Sequence, residues 1–172
     1  LRLGGAAARE RCVVIDSVLL DTSFLITLAD PNRPQHDTAK SYYREFILKG
    51  VPIYLSTIVV SEFQVRQPIQ DLELRNFVLL PFNIDHAVTC GQLIANQERD
   101  SGDDRVRVKD DFKLIAQCIC EGISHLATED SSSLVKYLSR IRQQGRCSTH
   151  TLTLQGGFDT AVFENGQARL LP

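Results

Sequence analysis

Val18-Leu19-Leu20-Asp21-Thr22-Ser23 is the stretch on which the fold turns. Its apolar residues run without alternation, the pattern of a strand buried on both faces. An acid and two hydroxyl side chains follow at once, and these are residue types that cap a helix. The spacing predicts a helix over Thr22–Ala29, stopped by Asp30-Pro31. A strand passing directly into a helix is the repeating unit of a parallel α/β sheet.

The same unit recurs along the chain. Gln35–Lys49 reads as a helix closed by Gly50, and Val51–Leu55 as the next strand. Ser56 or Thr57 can cap a helix running to about Arg66, before Pro68. Phe77–Phe82 is strand-like, and Asp85 is placed to cap a helix through about Glu98. Asp111–Glu121 is helical and ends at Gly122, Ile123–Ala127 is a strand, and Ser132–Gln144 is a helix. The expected architecture is α/β, with a mostly parallel central sheet covered by helices on both faces. Residues 16–148 form this domain, and residues 1–15 are an N-terminal extension with no assigned role. Thr149–Leu154 alternates like a strand, and Asp159–Phe163 and Gln167–Leu171 flank the turn pair Asn165-Gly166. Residues 149–172 are therefore expected to add a β-hairpin appendage on the same domain. The charged segment Glu98–Lys113 is expected to be an exposed loop leading into a helix.

Composition narrows the function. A chain of 172 residues, 43% apolar and 23% charged, is one ordinary globular domain, not a fibrous, low-complexity or disordered chain. Its net charge of −2 excludes a bulk polycation, so nucleic acid would need a local basic patch or metal ions. Five cysteines, an odd number with no Cys-x-x-Cys pair, argue against a disulfide scaffold and for a reducing cytoplasm. The histidines His36, His86, His125 and His150 are scattered, without the spacing of a zinc hydrolase. No Gly-rich phosphate loop is present, and no segment has the apolar length to span a bilayer.

The chemistry lies in the acids. In a parallel sheet the residues just after the strands gather along one edge, where ligands bind. Asp21 follows the first strand, Asp130 follows Ile123–Ala127, and Glu62 lies on the helix leaving Val51–Leu55. Asp111 opens the helix that leads to the strand before Asp130. Capping explains Asp21, Asp111 and Asp130 taken singly. Glu62 is harder to explain so, because Ile58, Val59, Phe63 and Val65 surround it on the helix. Converging carboxylates raise one another's pKa unless a counter-charge intervenes. A hard divalent cation supplies one, and an oxygen-only set selects Mg²⁺ or Mn²⁺. Such an ion supports phosphodiester hydrolysis.

A family resemblance joins these residues. Leu19-Leu20-Asp21-Thr22-Ser23 resembles the first motif of PIN-domain nucleases, and Val60-Ser61-Glu62-Phe63 the second. Asp111-Phe112-Lys113-Leu114-Ile115-Ala116 is similar to the third, and Leu126-Ala127-Thr128-Glu129-Asp130 to the fourth. The pattern covers residues of about 17–145 and looks like the VapC-type toxin branch of bacterial toxin–antitoxin pairs. The resemblance implies a three-layer α/β/α PIN-like fold and Mg²⁺- or Mn²⁺-dependent endoribonuclease activity. It implies a homodimer and a small antitoxin protein as partners. Carried onto this chain, Asp21, Glu62, Asp111 and Asp130 are the catalytic acids. Asp21 and Asp111 would be direct metal ligands; Glu62 and Asp130 would hold metal-bound waters or a second ion. The adjacent Asp110 leaves the third position open by one residue. Thr22, Ser23 and Thr128 would orient the carboxylates. Arg105, Arg107, Lys109, Lys113, Lys136 and Arg140 are candidates for an RNA phosphate track, or simply a solvated face. The alternatives are a catalytically inactive PIN-like RNA- or protein-binding module, an aspartate-nucleophile phosphatase and a receiver-like phosphoacceptor.

Overall fold

The computed structural model describes residues 13–96, 105–129 and 133–164. Strand β1 (Val18–Leu20) is buried at every residue and forms the centre of the sheet. It pairs in parallel with β2 (Ile53–Ser56) on one side and β4 (His125–Thr128) on the other. β3 (Val78–Leu80) and β5 (His150–Thr153) take the edges, giving the order β3-β2-β1-β4-β5 with all pairings parallel. β4 is also buried throughout, as expected of a strand covered on both faces.

The helices are α1 (Thr22–Ala29), α2 (His36–Lys49), α3 (Thr57–Arg66), α4 (Ile84–Ala95), α5 (Arg105–Glu121) and α6 (Ser133–Gln143). Connections from β1 to β2 to β3 run one way across the sheet, and those from β3 to β4 to β5 run back. Right-handed crossovers therefore put α1, α2 and α3 on one face and α4, α5 and α6 on the other. The packing agrees: α1 lies on α2 and α3, and α5 on α4 and α6. Fully buried Phe24, Phe46, Phe63, Ile115 and Tyr137 fill the two layers. Among the described residues no helix is long and apolar enough to cross a membrane.

Several elements differ from the sequence-based expectation. α5 starts at Arg105, so part of the charged segment expected to be loop is helix. Val108 is buried and begins a stripe continuing through Phe112, Ile115 and Ala116, so packing carries the helix back into the charged run. Asp85 is not the cap of α4. Asn83 accepts the His86 N–H at 3.0 Å, and His86 Nδ1 accepts the Asn83 N–H at 3.1 Å, closing a capping box. Nδ1 being an acceptor, Nε2 carries the proton and donates to Glu121 at 2.9 Å.

The C-terminal segment also departs from the hairpin. Its strand β5 pairs in parallel with β4 inside the main sheet, and Thr160–Phe163 is a 3₁₀ turn rather than a strand. The hydroxyl of Tyr42 on α2 donates to Gly157 O at 3.1 Å and accepts the Asp159 N–H at 3.0 Å. Phe158 and Phe163 pack on the Tyr42 ring, and that aromatic contact favours the compact turn over a free arm. Gln167–Leu171 and Asn165-Gly166 lie outside the described residues, as does most of the expected N-terminal extension.

Candidate metal centre

Strand order reverses between β1 and β4, and open α/β sheets bind ligands at such a point. Asp21 sits there, one residue past β1, with its N–H donating to Ala127 O on β4 at 3.0 Å. It caps α1, accepting the Phe24 N–H on Oδ1 at 2.8 Å. The same carboxylate accepts Ser23 Oγ at 2.9 Å and 3.0 Å, and Thr128 Oγ1 on Oδ2 at 2.6 Å. Ser23 and Thr128 hydroxyls stand 3.1 Å apart, and Ser23 Oγ also accepts the Glu129 N–H at 2.9 Å. Capping and site-building are therefore both roles of Asp21, which is only 8% exposed.

Glu62 on α3 is half-buried beside the buried side chains of Val59 and Phe63. Its Oε2 accepts the hydroxyl of Thr22, the residue after Asp21. Asp111 on α5 accepts the hydroxyl of Ser133, the first residue of α6. Asp110 instead takes Lys113 Nζ at 2.7 Å, one turn along the same helix. Asp21, Glu62, Asp110, Asp111 and Ser133 line one cleft of about 100 Å³. At about 30 Å³ per water, that is room for an ion and a few waters. Asp130 lies outside the described residues.

Each acid from the first three motifs thus meets a hydroxyl from elsewhere in the chain. The donors around the cleft are all oxygens, the set that hard divalent cations prefer. Among the described residues no group of three or more His, Cys, Asp or Glu side chains forms a ready-made ion cage. Magnesium does not need one, since it commonly keeps several waters and takes only one or two carboxylates. The residues present therefore fit such an ion by donor chemistry and by room. Sequence reasoning missed Ser133. Its signal was weak: one hydroxyl in the run Ser131-Ser132-Ser133 after the fourth motif.

The expected basic track is less uniform. The side chains of Arg105 and Arg107 lie outside the described residues, and Lys109 is exposed on α5. Lys113 is paired with Asp110. Lys136 and Arg140 lie over the ring of buried Tyr137, at 4.9 Å and 5.5 Å from its centroid. Arg33, not anticipated, pairs with Glu129 beside the acidic cleft.

No model of a known protein family matches the chain, and no curated protein matches it in sequence. Solved structures do match in fold. VapBC2 from Rickettsia felis bound to a promoter DNA fragment aligns with a TM-score of 0.50 at 17% identity, over 79% of this chain and 97% of that one. VapC20 from Mycobacterium tuberculosis, a sarcin–ricin loop cleaving toxin, aligns with a TM-score of 0.53 at 18% identity, over 70% and 95%. DNA-bound VapBC from Salmonella typhimurium aligns with a TM-score of 0.52 at 15% identity, over 80% and 98%. With its all-parallel sheet and the site at the strand reversal, the chain has the PIN-domain fold of the VapC toxins.

Proposed function

We propose that this protein is a metal-dependent endoribonuclease of the VapC toxin kind. The observation that carries the reading is the shared cleft: Asp21, Glu62 and Asp111 come from three distant motifs and line one pocket, each held by a Ser or Thr hydroxyl. Asp21 and Asp111 would hold Mg²⁺ or Mn²⁺ directly, with Glu62 and Asp130 holding its waters or a second ion. Asp111 suits this role better than Asp110, whose carboxylate is neutralised by Lys113. When bound, the ion supplies an activated water and charge stabilisation at the phosphodiester. Thr22, Ser23, Thr128 and Ser133 keep the carboxylates in one orientation, so little is reorganised on ion or substrate binding.

The fold supports the remaining parts. One matched VapC cleaves the sarcin–ricin loop, which favours RNA as the substrate class. Two matches are VapBC assemblies, which supports a small antitoxin protein as a partner. A homodimer and a cytoplasmic location belong to the same reading. The test is cleavage of a mixed RNA pool by purified protein with Mg²⁺, Mn²⁺ or EDTA. Asp21→Asn and Asp111→Asn run alongside, both first shown to be folded. Cutting that needs metal and drops at least 100-fold in both variants is expected, by analogy with the loss of one transition-state-stabilising group. Wild-type protein that binds RNA but cuts none under any metal would point to the inactive binding module.

A further inference from the structure

A second cleft, of about 630 Å³, adjoins the acidic one and shares Thr22, Ser23 and Glu62 with it. Its size falls within the roughly 300–1,000 Å³ of small-molecule sites. Arg66 stands in its wall four residues after Glu62, on the same face of α3. The two do not pair: Glu62 takes the Thr22 hydroxyl, and Arg66 makes no ion pair or hydrogen bond with any described residue. Gln35 caps α2 without using its side chain, and Gln155 follows β5. Neither amide is committed to another described residue. Ile26 supplies an apolar wall. The other cation, Arg33, is already paired with Glu129.

We infer that this cleft seats one nucleotide of the RNA strand beside the scissile phosphate, with Arg66 holding its phosphate and Gln35 and Gln155 facing its base. The chemistry matches by parts. A guanidinium suits a phosphate. Amides offer a donor and an acceptor to a base edge. An aliphatic wall takes a base face. A protein segment would want more apolar lining or a matching charge. Here the uncommitted groups are one cation and two neutral amides. This inference rests on the proposed nuclease reading, because the cleft opens onto the same acids, and it moves strand recognition away from Lys136 and Arg140.

Binding of a fluorescent single-stranded RNA of mixed sequence, measured in EDTA so that nothing is cut, tests the seat apart from catalysis. Arg66→Ala should weaken binding about tenfold, the order expected for one lost charged hydrogen bond. It should also lower the slope of log Kd against log salt by about 0.7, the contribution of one phosphate on a single strand. Arg66→Gln, which keeps the helical side chain, should do the same. Gln155→Ala and Gln35→Ala should leave the salt slope unchanged and shift the base preference in a panel of RNAs varied at one position. Unchanged affinity and slope in both Arg66 variants would overturn the inference, as would an unaltered base preference in both glutamine variants. Failure of the nuclease reading looks different: wild type would bind RNA and never cut it.

Discussion

Thr128→Val removes one hydroxyl from the centre of the acidic site and little else. Thr128 is fully buried at the end of β4, and valine keeps the β-branched shape that a strand favours. The lost contact is the 2.6 Å bond from Oγ1 to Asp21 Oδ2, within the range of charge-assisted O–H···O⁻ bonds. Asp21 retains the Phe24 N–H and the Ser23 hydroxyl, so the perturbation is one bond to a carboxylate that is 8% exposed. Bonds to charged groups contribute about 1.5–3 kcal/mol. The variant should therefore be less stable by about 2 kcal/mol, roughly 30-fold in the folded-to-unfolded ratio and about 4–8 °C in Tm. Urea and thermal unfolding in EDTA measure this, with Thr128→Ser as the control that keeps the hydroxyl. Loss of an outer hydroxyl around a metal site typically weakens the ion by about 10–100-fold, so Mn²⁺ titration calorimetry should separate the same two variants. If Thr128→Val unfolded within about 0.5 kcal/mol of wild type, the hydroxyl would not be orienting Asp21 and the argument for a pre-arranged site would fail.

At the opposite end of β4, burial and the stacked ring of His150 push the pKa of His125 down to about 4, from an ordinary value of 6.5. The unfolded chain then takes up this proton near pH 6.5 and the folded chain only near pH 4. Stability is thus full above about pH 6.5 and falls as the pH drops toward 4, by roughly 3 kcal/mol. Urea midpoints at pH 7 and pH 4.5 should converge in His125→Gln relative to wild type, and parallel falls would refute the assignment. Deleting residues 146–172 removes β5 and the buried Leu152 and Leu154, and bares the edge of β4. The truncated chain should lose cooperative unfolding, and a near-native denaturation midpoint would show the segment to be dispensable. Tyr42→Phe is the milder form: losing the contacts to Gly157 and Asp159 should cost about 1 kcal/mol and increase proteolytic cutting in the 157–163 segment.

Strand β1, the Asp21 cap, the Gly50 stop and the Ser56 cap were all legible because each is written in neighbouring residues. The Gly50 backbone has φ of 66°, the left-handed conformation that a helix-ending glycine supplies without strain. The start of α5 was not legible, because a run of alternating charges carries no helical stripe until Val108 meets the core. Asn83 was missed as a cap because its partner is a histidine rather than the usual Glu or Gln. β5 read correctly as a strand, but its place in the sheet depended on which edge remained open after β4 was paired with β1.

Local pattern alone determined that the chain is α/β and that acids stand beside its strands, since helix and strand periods and caps span only a few residues. Tertiary structure decided what those acids meet. Thr22 reaches Glu62 across 40 positions, Ser133 reaches Asp111 across 22, and Thr128 reaches Asp21 across 107. No spacing rule encodes such pairs, because they exist only once β1 and β4 lie side by side and the helices close over them. The second cleft has the same origin: Gln35, Arg66 and Gln155 belong to three separate elements and share a wall only in the folded chain.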